Sequence, residues 1–431
     1  MSWEFGVAVA AIVATALLGL PIGHAMLASS VLYLFLEGRD MSIAFEQMLN
    51  GLYGSYVLLA IPLFIFAADL MNVGSLSDRL LDFCRALVGR FRGGLGHVNV
   101  VSSLIFSGMS GSAIADAVGM GRIIINLMTK DGKYPASYAG AITAASAIIG
   151  PIIPPSIPMV LFALVSDTSI GFLFLGGVMP GLILGVLLMA MNAWQARVND
   201  YPVEAPVPLR EMPMITLRAV PALLMPVILL VGIYGGVTTP TEAAALAALY
   251  AFLVSTVFYR SVSLRTAYAT VRNSARSTAS VGFLIAGALA FNYVVTVEQI
   301  PNVIRDALAG TELDRIGFLL LVNGLLLLLG CLLEANAILL VIVPIFLPTA
   351  IALGVDPVHF GVIVVVNTMI GLATPPYGLL LFVVSSITKS PIRQTIRHLL
   401  PFLAIMIAGL AIITFIPEVV LWLPRLYGYR G

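Results

Sequence analysis

The same order of apolar segments occurs twice along this chain, and in each copy one apolar stretch is interrupted by adjacent prolines. In the first copy the interruption lies in SAIIGPIIPPSIPMVLFA, Ser146 to Ala163; in the second it lies in IGLATPPYGLLL, Ile370 to Leu381. Proline has no backbone N–H and its ring clashes with the carbonyl four residues back, so it frees polar groups that lipid cannot satisfy, at several kcal/mol each. Both breaks must therefore line a cavity or be buried in protein. With 431 residues, 60% of them hydrophobic and only 10% charged, the chain reads as an all-α polytopic membrane protein.

The two copies span residues 1–196 and 214–431. The first divides into scaffold helices over 4–73, an amphipathic arm over 75–92, a hairpin over 95–128, a broken helix over 134–166 and a helix over 171–196. A Pro-rich polar linker, 197–213, follows. The second contains scaffold helices over 214–298, an arm over 301–310, a hairpin over 316–352, a broken helix over 357–388 and a final helix over 395–424. Matched prolines fix the register: Pro135 answers Pro357, Pro154 and Pro155 answer Pro375 and Pro376, and Pro180 answers Pro401. The first apolar run, FGVAVAAIVATALLGL, follows a glutamate and lacks a basic leader, so it reads as a retained helix.

In the first hairpin each arm before the glycine tip has about thirteen residues, which span roughly 20 Å, too short for the hydrocarbon core. That element is predicted to be re-entrant. Hydropathy leaves the second hairpin open between re-entry and two full crossings, but either returns the chain to the same face. Each copy then makes five crossings, an odd number, so the second is inverted relative to the first.

Charge gives an independent reading of sidedness. Arg79, Arg85, Arg90, Arg92, Arg122, Lys130, Lys133, Arg197, Arg210, Arg218, Arg260, Arg265, Arg272, Arg276, Lys389, Arg393 and Arg397 fall on or nearest the face opposite the termini. Only Arg39, Arg305, Arg315, Arg425 and Arg430 fall on the terminal face. Such a skew puts the linker in the cytoplasm and both termini outside it.

The hairpin tips and the proline breaks then face one another near the midplane as FSGMSGSAIAD with GPIIPPS, and GCLLEANAIL with IGLATPPYGLLL. Freed carbonyls there can hold a cation and half-helix N-termini attract an anion. Ser107, Ser110 and Ser112 offer hydroxyls, and Gly108 and Gly111 permit close backbone approach. Small residues also serve plain helix packing. Asp116 is one of very few carboxylates at depth, either functional or paired with Arg122. Glu334 and Asn336 hold the equivalent place in the second tip, where Glu334 can also simply cap or pair.

Other classes fit less well. GMSGSA resembles the glycine-flanked serine of an intramembrane serine protease, but His24, His97, His359 and His398 all lie near segment ends, away from where a base is needed. No glycine-rich phosphate loop ending in Lys-Ser or Lys-Thr occurs, so the chain is read as a non-enzyme driven by an ion gradient. Two distant cysteines and four histidines give no metal-ligand spacing, and a net charge of +1 gives no footprint for nucleic acid. Channels are usually built from identical subunits around a pore, whereas an inverted repeat around paired hairpins suggests alternating access.

Over almost its whole length, and most specifically at SGMSGSAIAD, GPIIPPSIPMVLFA and ATPPYGLLLFV, the chain resembles the large membrane subunit of tripartite ATP-independent periplasmic (TRAP) transporters. The resemblance implies an elevator-type architecture of the ion-transporter superfamily in the bacterial inner membrane. It also implies sodium-driven uptake of small organic acids such as C4-dicarboxylates or sialic acid. Two partners follow from it: a small four-helix membrane subunit and a periplasmic substrate-binding protein. Carried over by motif position, one sodium site would use Ser107 and Ser110 with Gly150, Ile153 and Pro155, and the other Gly330, Gly371, Thr374 and Tyr377. Sodium is the coupling ion and no resident cofactor is implied. Hard oxygen ligands suit such a cation. Substrate would touch Ser110, Ser112, Asp116 and Ser156, with Asp116 organising ligands rather than binding the anion directly. A stand-alone sodium/dicarboxylate symporter of similar architecture is the alternative.

Overall fold

The computed structural model describes residues 2–73, 76–309 and 314–431. Residue 75 of the first expected arm and residue 310 of the second lie outside the described residues, as does residue 1. Within them the chain is helical, the one β-type contact being an isolated antiparallel bridge between Arg92 and Val203. Seven helical stretches are long and apolar enough to cross a membrane, and six more apolar helices are 10–17 residues long.

The first copy runs α1 (Trp3–Leu17), α2 (Ile22–Leu36), α3 (Ser42–Gly54), α4 (Ala60–Val73), α5 (Leu76–Val88), α6 (Gly94–Ser110), α7 (Ala113–Asp116), α8 (Arg122–Thr129), α9 (Ala136–Ala147), α10 (Ile157–Ser166) and α11 (Ile170–Val198). The second runs α12 (Met212–Tyr234), α13 (Pro240–Leu253), α14 (Leu264–Val297), α15 (Ile300–Ala309), α16 (Arg315–Gly330), α17 (Ala335–Ala352), α18 (Pro357–Gly371), α19 (Leu379–Thr388), α20 (Ile392–Phe415) and α21 (Glu418–Leu426). The helix starts carry local signals. Thr239 and Glu242 form a capping box ahead of α13 with Pro240 in its first turn, while Ser263, Asp314 and Asp356 cap α14, α16 and α18 through their side chains.

Packing repeats with the sequence. α2 lies on α14 as α13 lies on α4; α6 lies on α9 as α16 lies on α18; and α9 meets α20 as α18 meets α11. At the α2–α14 crossing the backbones nearly touch, since a Cβ built on Gly23 would sit 2.7 Å from the Leu284 Cα and one on Gly287 would collide with the Gly23 carbonyl. The α4–α13 seam is lined by small buried residues, among them Ala60, Ala67, Ala244, Ala247 and Ala251. Buried amides join the paired helices elsewhere. Asn99 donates to Thr143 Oγ1 at 2.7 Å and accepts from Ser146 at 2.9 Å; in the second copy Asn367 donates to Asn323 Oδ1 at 2.6 Å, and Asn323 donates to Thr414 at 3.0 Å. Each network pins a hairpin helix to a broken helix in a medium where water cannot substitute.

Three features break the symmetry. In the first copy the connector α3 ends before Ser55 and a short 3₁₀ turn, Tyr56–Leu59, leads into α4. In the second the connector and the third span are one unbroken helix, the 34-residue α14, in which no glycine precedes Gly282 to answer Gly51 and Gly54. The chain after α20 turns at Ile416 and Pro417 into a separate short helix, α21, with Trp422 and Leu426 exposed. The linker, finally, is docked. Arg92 pairs with Asp200, Lys133 donates to Glu204 at 2.8 Å, the Gly93 N–H donates to the Pro202 carbonyl at 3.1 Å, and the Tyr201 ring packs 4.5 Å from that of Tyr138.

Candidate functional site

The first hairpin turns where α6 ends at Ser110. Gly111 takes a left-handed conformation (φ +58°) that L side chains rarely adopt, and Ser112 then caps α7, accepting from the Ala115 N–H at 3.4 Å. The return helix passes through a π turn, Ala117–Gly121, before α8. The facing helix stops at Ala147, and the chain runs irregularly to Ser156, which caps α10 by accepting from the Met159 N–H at 3.2 Å and donates to the Pro151 carbonyl. The Pro154–Pro155 bond is cis, as is Pro375–Pro376.

Tip and break are in contact. A Cβ on Gly111 would lie 2.6 Å from the Pro155 carbonyl oxygen and 3.3 Å from the Ile157 nitrogen; one on Gly150 would lie 3.5 Å from the Ser112 carbonyl oxygen. Only glycine at 111 allows that approach. Ser107 is fully buried and donates to the Leu104 carbonyl at 2.6 Å, which leaves its oxygen lone pairs free to face a ligand. Ser110 is 1% exposed and its hydroxyl has no hydrogen-bond partner. A buried hydroxyl without a partner beside freed carbonyls fits a hard cation. Gly150, Ile153 and Pro155 all lie in this break, and Gly111 and Ser112 of the tip pack against Pro155 and Gly150.

The second tip and break meet through two glycines. A Cβ on Gly371 would lie 2.6 Å from the Gly330 Cα, and one on Gly330 would lie 2.9 Å from the Gly371 Cα. Thr374 donates to the Ile370 carbonyl at 2.8 Å, and the Gly378 N–H donates to the Thr374 carbonyl at 3.1 Å. Tyr377 is exposed, with its ring 5.3 Å from that of Phe382. Glu334 stands at the start of α17 without capping it and instead accepts from Asn336 at 2.8 Å.

Both tips and both breaks share one cavity of about 400 Å³. Ser110 and Ser112 line it from the first tip, Pro151 and Ile157 from the first break, Glu334 and Asn336 from the second tip, and Leu372 and Leu379 from the second break. The remaining wall comes from Ile65, Ala68 and Asp69 of α4 and from Ser277 and Val281 of α14. Two of the expected substrate residues do not reach it. Ser156 is buried behind the break and held by Pro151, while Asp116 is 1% exposed, has neither carboxylate oxygen in a hydrogen bond, and forms no ion pair with the exposed Arg122.

Asp69, absent from the sequence-derived site, is a lone carboxylate in the apolar run AIPLFIFAADLMNV and carries the same signal as Asp116. It is half-buried and accepts from Ser274 of α14 at 2.6 Å. A second crevice, about 790 Å³, lies between α3, the α10–α11 turn and the α12–α13 turn. Tyr234 of α12 bridges it, donating to the Gly171 carbonyl of α11 at 3.2 Å with its ring 5.5 Å from that of Tyr427.

Residues 9–419 match the family model described as the DctM component of the tripartite ATP-independent periplasmic transporter. The chain is 41% identical to the sialic acid TRAP transporter large permease protein SiaM of Vibrio cholerae, over 95% of this chain and 96% of that protein. It is 42% identical to the C4-dicarboxylate TRAP transporter large permease protein DctM of Pseudomonas aeruginosa, over 86% and 87%. It is 34% identical to the 2,3-diketo-L-gulonate large permease protein YiaN of Escherichia coli, over 94% and 95%. Among solved structures, the YdaH transporter of Alcanivorax borkumensis superposes with a TM-score of 0.62 at 16% identity, covering 88% of each chain. That likeness carries the fold alone, an all-helical architecture shared with that transporter.

Proposed function

The chain belongs to the DctM component family of tripartite ATP-independent periplasmic transporters, and from that premise we propose that it is the large permease subunit of a sodium-driven importer of small organic acid anions. Its partners would be a small four-helix membrane subunit and a periplasmic binding protein that delivers the acid. Both termini would lie on the periplasmic side of the inner membrane.

One observation supports this reading above the others: two hairpin tips and two helix breaks converge on a single cavity whose last wall belongs to other helices. A ligand held by tips and breaks alone can be carried past that wall as one body, which is what an elevator requires. The N-termini of α10 and α19 border the cavity at Ile157 and Leu379 and would attract the carboxylate of the substrate. Ser107 and Ser110 with the carbonyls of Gly150, Ile153 and Pro155 would hold one sodium ion. Gly330, Gly371, Thr374 and Tyr377 would hold the other, largely through the main chain. Asp116, buried behind the first tip, would organise that tip rather than touch the anion.

Given this sidedness, Asp69 and Ser277 sit toward the cytoplasmic ends of their spans, so the described conformation would be the inward-facing one. Tyr234 would then close the outer side.

The test is uptake of labelled C4-dicarboxylates, sialic acid and sugar acids into proteoliposomes that hold the permease with its small subunit, with the binding protein added outside. Uptake should follow an inward sodium gradient and vanish when the gradient is collapsed. Uptake at the same rate without sodium would refute the coupling.

A further inference from the structure

The shared cavity contains an imbalance of charge that bears on what it can hold. Among its lining residues are two carboxylates, Asp69 and Glu334, three hydroxyls, Ser110, Ser112 and Ser277, and one amide, Asn336. Among the described residues, no lysine, arginine or histidine lines it. Asp69 stands on the wall formed by α4 and α14, and Glu334 on the second hairpin tip, so acidic groups come from both sides of the space. Each already accepts one hydrogen bond, Asp69 from Ser274 at 2.6 Å and Glu334 from Asn336 at 2.8 Å, which holds its side chain in place. Ionised carboxylates accept up to about four hydrogen bonds, so both retain acceptor capacity. Ser110 lines the same space, with its buried hydroxyl left to the sodium site proposed above.

We propose that this cavity selects hydroxyl-rich monocarboxylates, the class of sugar acids, over simple dicarboxylates. The inference rests on the proposed transport function and narrows its substrate. A monocarboxylate places one negative charge at the helix N-termini and sodium sites and turns its hydroxyls toward Asp69 and Glu334, which accept from them. A dicarboxylate must bring a second negative charge toward two fixed carboxylates with no cationic side chain to meet it. Like charges around one space oppose binding of a second anion, whereas a site built to accept from hydroxyls discriminates against a ligand that lacks them. A volume of about 400 Å³ is within the range that holds a small ligand of this kind.

The test uses the purified membrane complex of the permease and its small subunit, in sodium, without the binding protein, so that only the membrane site selects. Thermal unfolding is followed with D-gluconate, 2-keto-D-gluconate, N-acetylneuraminate and succinate. At least one of the three sugar acids should raise the melting temperature at millimolar concentration, and succinate should not. Asp69→Asn and Glu334→Gln should each weaken the stabilising sugar acid by about tenfold or more, while sodium alone still stabilises both variants and so reports that they are folded. Succinate stabilising the complex as well as any sugar acid, or none of the three stabilising it, would overturn the proposal. So would variants that change only the sodium requirement and leave the sugar acid unaffected. Proteoliposome uptake separates the two readings. Sodium-driven succinate import that neither variant touches sinks the selectivity while transport stands; absence of sodium-driven import of every acid sinks both.

Discussion

At the scale of single residues, the tips and breaks make two different demands. At the first, Ser110 has a hydroxyl with nothing to bind, and Ser110→Ala should remove one cation ligand. The expected result is a several-fold rise in the sodium concentration for half-maximal uptake, equivalent to about 1 kcal/mol. An unchanged sodium curve would take Ser110 out of the site. At the second, the demand is for space. Gly330→Ala or Gly371→Ala puts a methyl within 2.9 Å of the opposite backbone, and neither main chain can yield without moving a tip or a break. Each should cost about 1–3 kcal/mol, read as a lowered melting temperature of the detergent-solubilised protein. Gly324, on the same helix, has nothing within 4 Å of a built Cβ, so Gly324→Ala should be neutral or slightly stabilising. An equal loss at Gly324 and Gly330 would mean that helix α16 is simply intolerant and that the glycine contact is not special. The serines and glycines of the first tip and Gly330 of the second were legible in the sequence because the repeat set each tip against a proline break. Asp69 was not, since hydropathy says that a span is buried in lipid or protein but not which of its faces meets a cavity.

At the scale of elements, the repeated order of segments that the matched prolines mark reappears as paired packing, α2 on α14 and α13 on α4. What the sequence did not yield was how the units lean on each other. Tyr234 ends α12 and touches Gly171 and Tyr427, which lie near the start of α11 and the end of α21, three places far apart in the chain. If α11 and α21 move with the broken helices, this contact must open in every cycle. Tyr234→Cys with Tyr427→Cys, in a background without Cys84 and Cys331, should be joined by a short thiol cross-linker. Uptake should then stop and return on cleavage of the linker. Full uptake by the linked protein would show that α12 and α21 travel together. The docked linker was equally hidden: its contacts with Arg92, Gly93 and Lys133 join loops more than seventy residues apart, and no local pattern marks them.

At the scale of the whole molecule, sidedness is the property on which the inward-facing reading depends. Seventeen of the 22 cationic residues gather on one face in the sequence-derived topology, a bias strong enough to orient a multispanning chain. With Arg430→Cys and Arg272→Cys made separately in the same cysteine-free background, a membrane-impermeant maleimide should label the first in intact spheroplasts. The second should react only after permeabilisation. The reverse pattern would invert the topology and make the Asp69 cavity outward-facing.

The undivided α14 has a consequence for how the protein sits in its lipid. Its 34 residues measure about 51 Å against a hydrocarbon thickness near 30 Å, so span and surface connector share one stiff rod. Exposed Arg265, Arg272 and Arg276 mark the portion that belongs among headgroups, with Tyr268 and Val271 exposed between them. A jointed wall, like α3 and α4 with their turn at Ser55, accommodates a thinner or thicker bilayer by flexing. A rod accommodates it by tilting. Hydrophobic mismatch therefore reaches the two copies unequally, and acyl-chain length becomes a variable that sets the resting lean of one half of the framework against the other.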